Sequence, residues 1–351
     1  MRFSGFDDEW KTYKLKDLLH NKSSSISINQ LDDNVGNYPL YGASGFLKCI
    51  DFYEMDSDYI SIVKDGSGVG NISFHEKNTS VVNTSQYILP KENLNIHFIF
   101  YLLQTINLNK YKTGSTIPHI YFKDYSIEKV KIPKYDEQKK IGILLKNLDA
   151  KIEILDNKLQ MCQNFKKYLM QQIFTQKLRF NFDDEWKQYK LKDVLTVKSS
   201  SISINQLEEN TGDYPLYGAS GFLKNIDFCE MDVDYISIVK DGSGVGNLSF
   251  HEKNSSIVNT SQYLLPKKNF NINFLYYLLQ TINLMKYVNG SSIPHIYFKD
   301  YCIEKINIPS LDEQEKIGKL FVDVDITMEN LNKNINATQE FKKGLLQQMF
   351  V

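Results

Sequence analysis

Two short segments hold the residue types that could do chemistry. Lys64-Asp-Gly-Ser-Gly-Val-Gly70 sets a cation, a hydroxyl and three glycines within one loop, superficially a phosphate cradle. Such a cradle needs a helix opening directly after the glycines, so that its N-terminus meets the phosphate. Here Ile72-Ser-Phe74 continues as a strand, so the loop is a tight exposed connection that can meet a ligand edge-on through Lys64 and Ser67. Gly114-Ser-Thr-Ile-Pro-His-Ile-Tyr121 gathers two hydroxyls and His119 between a glycine and a proline, which punctuate a turn. Its residue types suit contact rather than catalysis. No metal-ligand spacing links His20, His75, His97, His119, His251 and His295. No two prolines are adjacent, so the Asn/Asp-Pro-Pro-Tyr/Phe motif of an amino-methyltransferase is absent.

Both segments occur twice. Phe6-Asp-Asp-Glu-Trp10 returns as Phe182-Asp-Asp-Glu-Trp186, and from there the two halves align without a gap at an offset of 176 (186 − 10). All eight prolines pair at this offset: Pro39/Pro215, Pro90/Pro266, Pro118/Pro294 and Pro133/Pro309. Between Lys11 and Pro133, 96 of 123 positions are identical, whereas between Lys139 and Thr175 only 15 of 37 are. Each unit thus has a head that stayed the same and a tail that drifted. Of the histidines, only His75/His251 and His119/His295 recur; the first pair reads as surface or hydrogen-bonded, the second as a contact pair. None of Cys49, Cys162, Cys229 and Cys302 has a cysteine counterpart, which argues against a zinc site or structural disulfide.

The chain of 351 residues, 42% apolar and 24% charged, suits two ordinary domains and excludes disordered, collagenous or purely coiled-coil readings. Its longest uncharged run, Asn93 to Asn109, carries four Asn, a Gln, a Thr and His97 and is too polar to span a bilayer. The N-terminus shows no apolar signal region, so a cytoplasmic location is expected. A net charge of −1 means that nucleic-acid binding would depend on local lysines rather than a basic chain.

The elements that must position these segments are mixed. Tyr59-Ile-Ser-Ile-Val63 and Ile72-Ser-Phe74 read as a hairpin, Ser80-Val-Val82 and Tyr87-Ile-Leu89 as further strands, and Phe98, Ile99, Leu102, Leu103 and Ile106 as one helical face. After Pro133, Asp136-Glu-Gln138 supplies an N-cap candidate and first-turn acid. Apolar residues then alternate at steps of three and four: Ile141, Leu145, Leu148, Ile152, Leu155, Leu159, Cys162, Leu169 and Ile173, with Lys166 in one seam position. The second copy runs Ile317, Phe321, Val324, Met328, Leu331, Ile335, Thr338, Leu345 and Met349. Such a period is a coiled-coil seam. The first helix leads into the second head and the second helix leaves it, so the two must pair antiparallel. About 38 residues at 1.5 Å each give a rod of roughly 57 Å with a head at each end. The expected fold is α+β: two pseudo-twofold-related mixed α/β heads at residues 1–135 and 179–311, joined by an antiparallel coiled coil of helices at 136–178 and 312–351.

Gly-Ser-Thr/Ser-Ile-Pro-His-Ile-Tyr-Phe-Lys-Asp-Tyr, running into Ile-Pro and Asp-Glu-Gln-x-Lys-Ile-Gly at Gly114 to Gly142 and again at Gly290 to Gly318, resembles the specificity subunit of type I restriction-modification systems. Tyr38-Pro-Leu-Tyr-Gly-Ala-Ser-Gly45 and Lys64 to Gly70 support the likeness, which covers essentially the whole chain. The resemblance implies that the heads are target-recognition domains reading a bipartite site in double-stranded DNA. It implies that the helices act as ruler and dock for two modification (methyltransferase) subunits, with restriction subunits joining the complex. S-adenosylmethionine and ATP/Mg would belong to those partners, and the chain itself would be non-catalytic. The alternative is a two-headed protein-binding scaffold without DNA specificity.

On that reading, phosphate contacts fall to Lys22, Lys64, Lys110 and Lys123, with Lys198, Lys240, Lys286 and Lys299 in the second copy. Base-edge readers must be polar and on loops. The candidates are Ser67, Ser85, Gln86, Ser115, Thr116 and His119, and their counterparts Ser243, Ser261, Gln262, Ser291, Ser292 and His295. Because Lys22 to Leu31, Tyr38 to Lys48, Ser61 to Asn71 and Ile117 to Tyr125 match their counterparts throughout, the heads are expected to read equal half-sites, arranged as an interrupted palindrome.

Overall fold

The computed structural model describes residues 2–31, 34–207 and 210–350. It divides into two compact units, Met1–Asp156 with Lys333–Val351, and Asn157–Asn332. In the first, an antiparallel four-stranded sheet takes the order Leu19–Ser23, Ser85–Pro90, Tyr59–Val63, Ile72–His75. A second sheet pairs Gly45–Ile50 with Tyr38–Gly42, and the latter parallel with Ser80–Val81. Lys11–Lys14 and Lys129–Ile132 form a two-stranded ribbon. The expected hairpin is therefore present, while the strand at Ser80 belongs to the other sheet. The second unit repeats every element at the same offset, from the ribbon Lys187–Lys190 with Lys305–Ile308 to the sheet that begins with Leu195–Ser199.

Helix Ile96–Gln104 packs on the four-stranded sheet with Phe98, Ile99, Leu102 and Leu103 inward. Asn95 caps it, its side chain accepting from Phe98 N at 3.0 Å. The apolar face predicted to include Ile106 ends sooner, because Thr105 turns back and caps the last carbonyls; Ile106 packs against the core from beyond the helix.

The long helices run Tyr135–Phe174 and Leu311–Met349. Every expected seam residue is buried or half-buried. Within the first unit Ile141 and Leu145 share a core with Leu345 and Met349, and Asp149 meets Lys342, so the segments run antiparallel. In the second, Ile317 and Phe321 share a core with Leu169 and Ile173, and Asp325 meets Lys166. Each head core is thus completed by the start of the helix that follows it and the end of the other. Each buried side chain of this size contributes about 1.5–3 kcal/mol. Lys166 takes the seam position expected of it, half-buried and paired with Asp325.

The junction motif now has a structural account. The long helix already begins at Tyr135, so Asp136 lies in its first turn and does not cap it. Glu137 is buried and takes two hydrogen bonds from the Arg2 guanidinium at 2.9 and 2.7 Å. Gln138 accepts from Asn95 N at 3.0 Å and donates to the Pro133 carbonyl at 2.9 Å. A Cβ on Gly142 would lie 2.6 Å from Asn95 Oδ1, so only glycine lets the cap of the head helix approach this closely. Arg179, Glu313, Gln314 and Gly318 repeat the arrangement. The most specific motif of the sequence is therefore the joint between head and helix.

Candidate nucleic-acid interface

Within each unit the two segments of chemical interest are sewn together by backbone. Ile120 N donates to Lys64 O at 2.9 Å, Gly66 N donates to Pro118 O at 3.0 Å, and Thr113 and His119 exchange both N–H···O bonds at 2.9 and 2.8 Å. In the second unit Ile296 N reaches Lys240 O and Gly242 N reaches Pro294 O, both at 2.8 Å, and Asn289 pairs with His295. The Lys64–Gly70 loop is followed by a strand, and its Gly68 packs on the hairpin turn, where a Cβ would meet Ala43 Cβ at 3.0 Å. Three loops thus form one surface.

At its tip, Gly114 turns with φ +88°, and a Cβ there would lie 2.4 Å from the Ile117 carbonyl oxygen. Gly290 has φ +90° and the same obstruction at 2.5 Å. Glycine therefore lets the Ile117 and Ile293 carbonyls close over a tight turn, on which Ser115, Thr116, Ser291 and Ser292 are exposed, as are Ser67 and Ser243 on the adjoining loop. His119 and His295 are half-buried, each with Nδ1 3.4 Å from the carbonyl of Ile117 or Ile293 and its ring 5.0 Å from Tyr121 or Tyr297. Lys123 and Lys299 are exposed, with their ammonium groups 5.3 Å from those tyrosine ring centres. Such stacking holds a long side chain without removing its charge.

Other predicted contacts sit differently. Ser85, Gln86 and Ser261 are buried at 1%, 3% and 2% exposure, because their strand is an inner strand of the sheet. Gln86 Nε2 donates to Tyr125 at 2.8 Å, whereas the half-buried Gln262 turns its Nε2 to Ser199. Ser85, Gln86 and Ser261 thus lie inside the sheet, whereas Gln262 remains half-exposed. Lys64 and Lys240 are half-buried beside Asp65 and Asp241. Lys110 and Lys286 stay half-exposed but are ion-paired with Glu128 and Glu304, and their hydrogen bonds hold both carboxyls below the usual range. Lys22 and Lys198 are exposed, 5.7 Å from the centres of the Tyr87 and Tyr263 rings, and Lys198 also donates to the Glu230 carbonyl. Among the described residues Lys123, Lys299 and Lys112 show no salt bridge, and Lys112 packs beside Gly70 in the first unit, where the second has Val288.

Each head also holds a polar network at the end of the hairpin opposite the Lys64–Gly70 loop. His75 is buried, stacked on Tyr59 at 4.9 Å, with Nε2 2.8 Å from Ser61 Oγ; burial pushes its pKa down to about 4, and His251 repeats this. Burial pushes the Glu54 carboxyl up, but hydrogen bonds from Ser25, Tyr87 and Ser24 outweigh it and hold the group low. The four cysteines are half-buried free thiols.

Two mixed heads, each closed by segments of two long helices, are the architecture of type I specificity subunits. The sequence model of the type I restriction modification DNA specificity domain matches residues 7–162 and again 183–339, and the chain belongs to that family. Its role is DNA recognition, and it is a non-catalytic component. It is 24% identical over 357 residues to a putative type I specificity subunit of Mycoplasma pneumoniae, covering 96% of this chain and 95% of that one. It is 21% identical over 392 residues to the type I restriction enzyme MjaVIII specificity subunit of Methanocaldococcus jannaschii, covering 97% and 91%. The crystal structure of the type I restriction-modification S subunit from M. genitalium has the same fold, with a TM-score of 0.80 at 19% identity over 99% of this chain and 97% of that one. Among the described residues no helix is long and apolar enough to cross a membrane.

Proposed function

We propose that this specificity subunit reads an interrupted palindrome in double-stranded DNA, one half-site per head, and carries two adenine-modification subunits and the restriction subunits to it. The observation that carries this reading is the exposed turn Gly114–Ile117, present with the same backbone lock as Gly290–Ile293. Segments 61–71 and 117–125 match their counterparts throughout, which favours equal half-sites except at a position read by Thr116/Ser292, Lys112/Val288 or Thr113/Asn289, and the antiparallel helix segments within each unit support opposite strands for the two. The complex works in the cytoplasm, with S-adenosylmethionine bound by the modification subunits and ATP and Mg by the restriction subunits. Exposed flanks of the long helices, among them Lys139, Phe165 and Lys167, are the docking faces; Lys166 is excluded by its pairing with Asp325.

Long-read mapping of N6-methyladenine in cells expressing the chain with its modification subunit tests this. The expected motif is a short half-site, a nonspecific spacer completing about one helical turn of ~34 Å between centres, and the reverse complement. Two unrelated half-sites would refute it.

A further inference from the structure

Ile117 is 66% exposed at the tip of its turn, and Ile293 is 68% exposed at the corresponding place. Isolated exposed aliphatics are common on protein surfaces and need no explanation by themselves. These two differ in how they are held. Gly114, at φ +88° and without a Cβ, lets the Ile117 carbonyl fold back close to it, Pro118 restricts the backbone of Ile117, that carbonyl sits by His119, and the Thr113–His119 pair closes the turn. The fold thus fixes the backbone around a β-branched side chain that is two-thirds exposed, and does so twice. The two residues before it in the turn, Ser115 and Thr116, are exposed hydroxyls, and Lys123 is exposed four residues after His119 with its ammonium by the Tyr121 ring, groups that would meet polar base edges and phosphate.

We propose that Ile117 and Ile293 read thymine, each laying its side chain against the 5-methyl group of one thymine in the half-site that its head occupies. The reading rests on the DNA-binding function proposed above. The thymine methyl is the apolar feature that base edges offer in the major groove, and it is met by apolar groups rather than hydrogen-bonding ones. A stiff χ1 and a fixed backbone mean that little freedom is lost on contact. Hydroxyls on the two preceding residues then supply the hydrogen-bonding part of the same readout.

The test is binding of the complex, formed with its modification subunit, to duplexes of its methylated motif in which each thymine is replaced in turn by uracil. One position per half-site is expected to lose roughly fourfold in affinity, the worth of one buried carbon. The I117S/I293S complex is expected to bind the unmodified motif more weakly and to ignore that same replacement, while I117V/I293V keeps part of the discrimination. Equal sensitivity of wild type and I117S/I293S at every thymine overturns the proposal. So does loss of the modification subunit from I117S/I293S with thymine discrimination intact, which would place the side chain against protein. If wild type binds motif and random duplex alike, the DNA reading itself fails, a result distinguishable from either.

Discussion

Lys342 on the second long helix reaches Asp149 on the first, its ammonium nitrogen 2.5 Å from Oδ1, and Lys166 reaches Asp325 at 2.7 Å with the helices exchanged. Each aspartate also accepts a tyrosine hydroxyl from the head helix at 2.7 Å, Tyr101 in one case and Tyr277 in the other. Each ammonium in turn lies over that tyrosine ring, at 5.2 and 4.9 Å. A charged residue in an apolar seam lowers stability but is satisfied in few registers, so it selects one pairing of the helices.

Removing Asp149 would strand Lys342 and the Tyr101 hydroxyl together. Asp149→Ala is expected to cost about 3 kcal/mol, whereas Lys342→Met, which fills the seam and leaves Asp149 its tyrosine, should stay within about 1 kcal/mol of wild type. Urea unfolding midpoints measure both, and equal losses would contradict the account.

The turn lock can be broken without touching the core. Gly114→Ala with Gly290→Ala introduces a strained φ and a clash with the Ile117 and Ile293 carbonyls. Affinity for the specific site is expected to fall at least about tenfold with random-sequence binding little changed, while the thermal midpoint falls modestly from the strain in the two turns; about 1.4 kcal/mol per decade sets the affinity scale.

Phosphate contacts are legible in salt dependence. Lys123→Ala with Lys299→Ala is expected to weaken binding to all sequences alike and to reduce the log–log salt slope by about two. Lys112→Val, which gives the first head the Val288 of the second, is expected to reduce it by about one. An unchanged slope in both would move the phosphate track elsewhere on the heads.

The repeat, the hairpins, the helix seam and the two turn segments were legible in the sequence because each rests on local period or punctuation. The partners of Lys166 and Lys342 were not, since each aspartate stands more than 150 residues away in the chain and only the packed helices bring them together. Ser85 and Gln86 read as loop residues because they follow Asn83 and Thr84, yet they begin an inner strand whose neighbours cover them. Ile117, being apolar, falls outside the requirement that base-edge readers be polar. Its exposed setting depends on a glycine conformation that periodicity does not report.

Acid should destabilise the fold before its carboxylates titrate. His75 and His251 have pKa values near 4 when folded, below the ordinary value of 6.5, so unfolding takes up protons between those limits. Their contribution is full above about pH 6.5 and is lost as the pH falls toward 4. Glu54 and Glu230, held low, add a further loss under still more acid conditions. Unfolding midpoints measured against pH should show the slope between pH 6.5 and 4.5 for wild type and lose most of it in H75Q/H251Q.

Leu345 and Met349 sit in the same core as Leu15 and Phe98, with Phe350 against Trp10 and Phe98. A ribosome releases the first head early but delivers its last core residues only after the second head has been synthesised. The usual order, in which the N-terminal domain matures first, is thereby reversed: the nascent first head waits with an open apolar cleft while the second, whose segments are contiguous in the chain, can close.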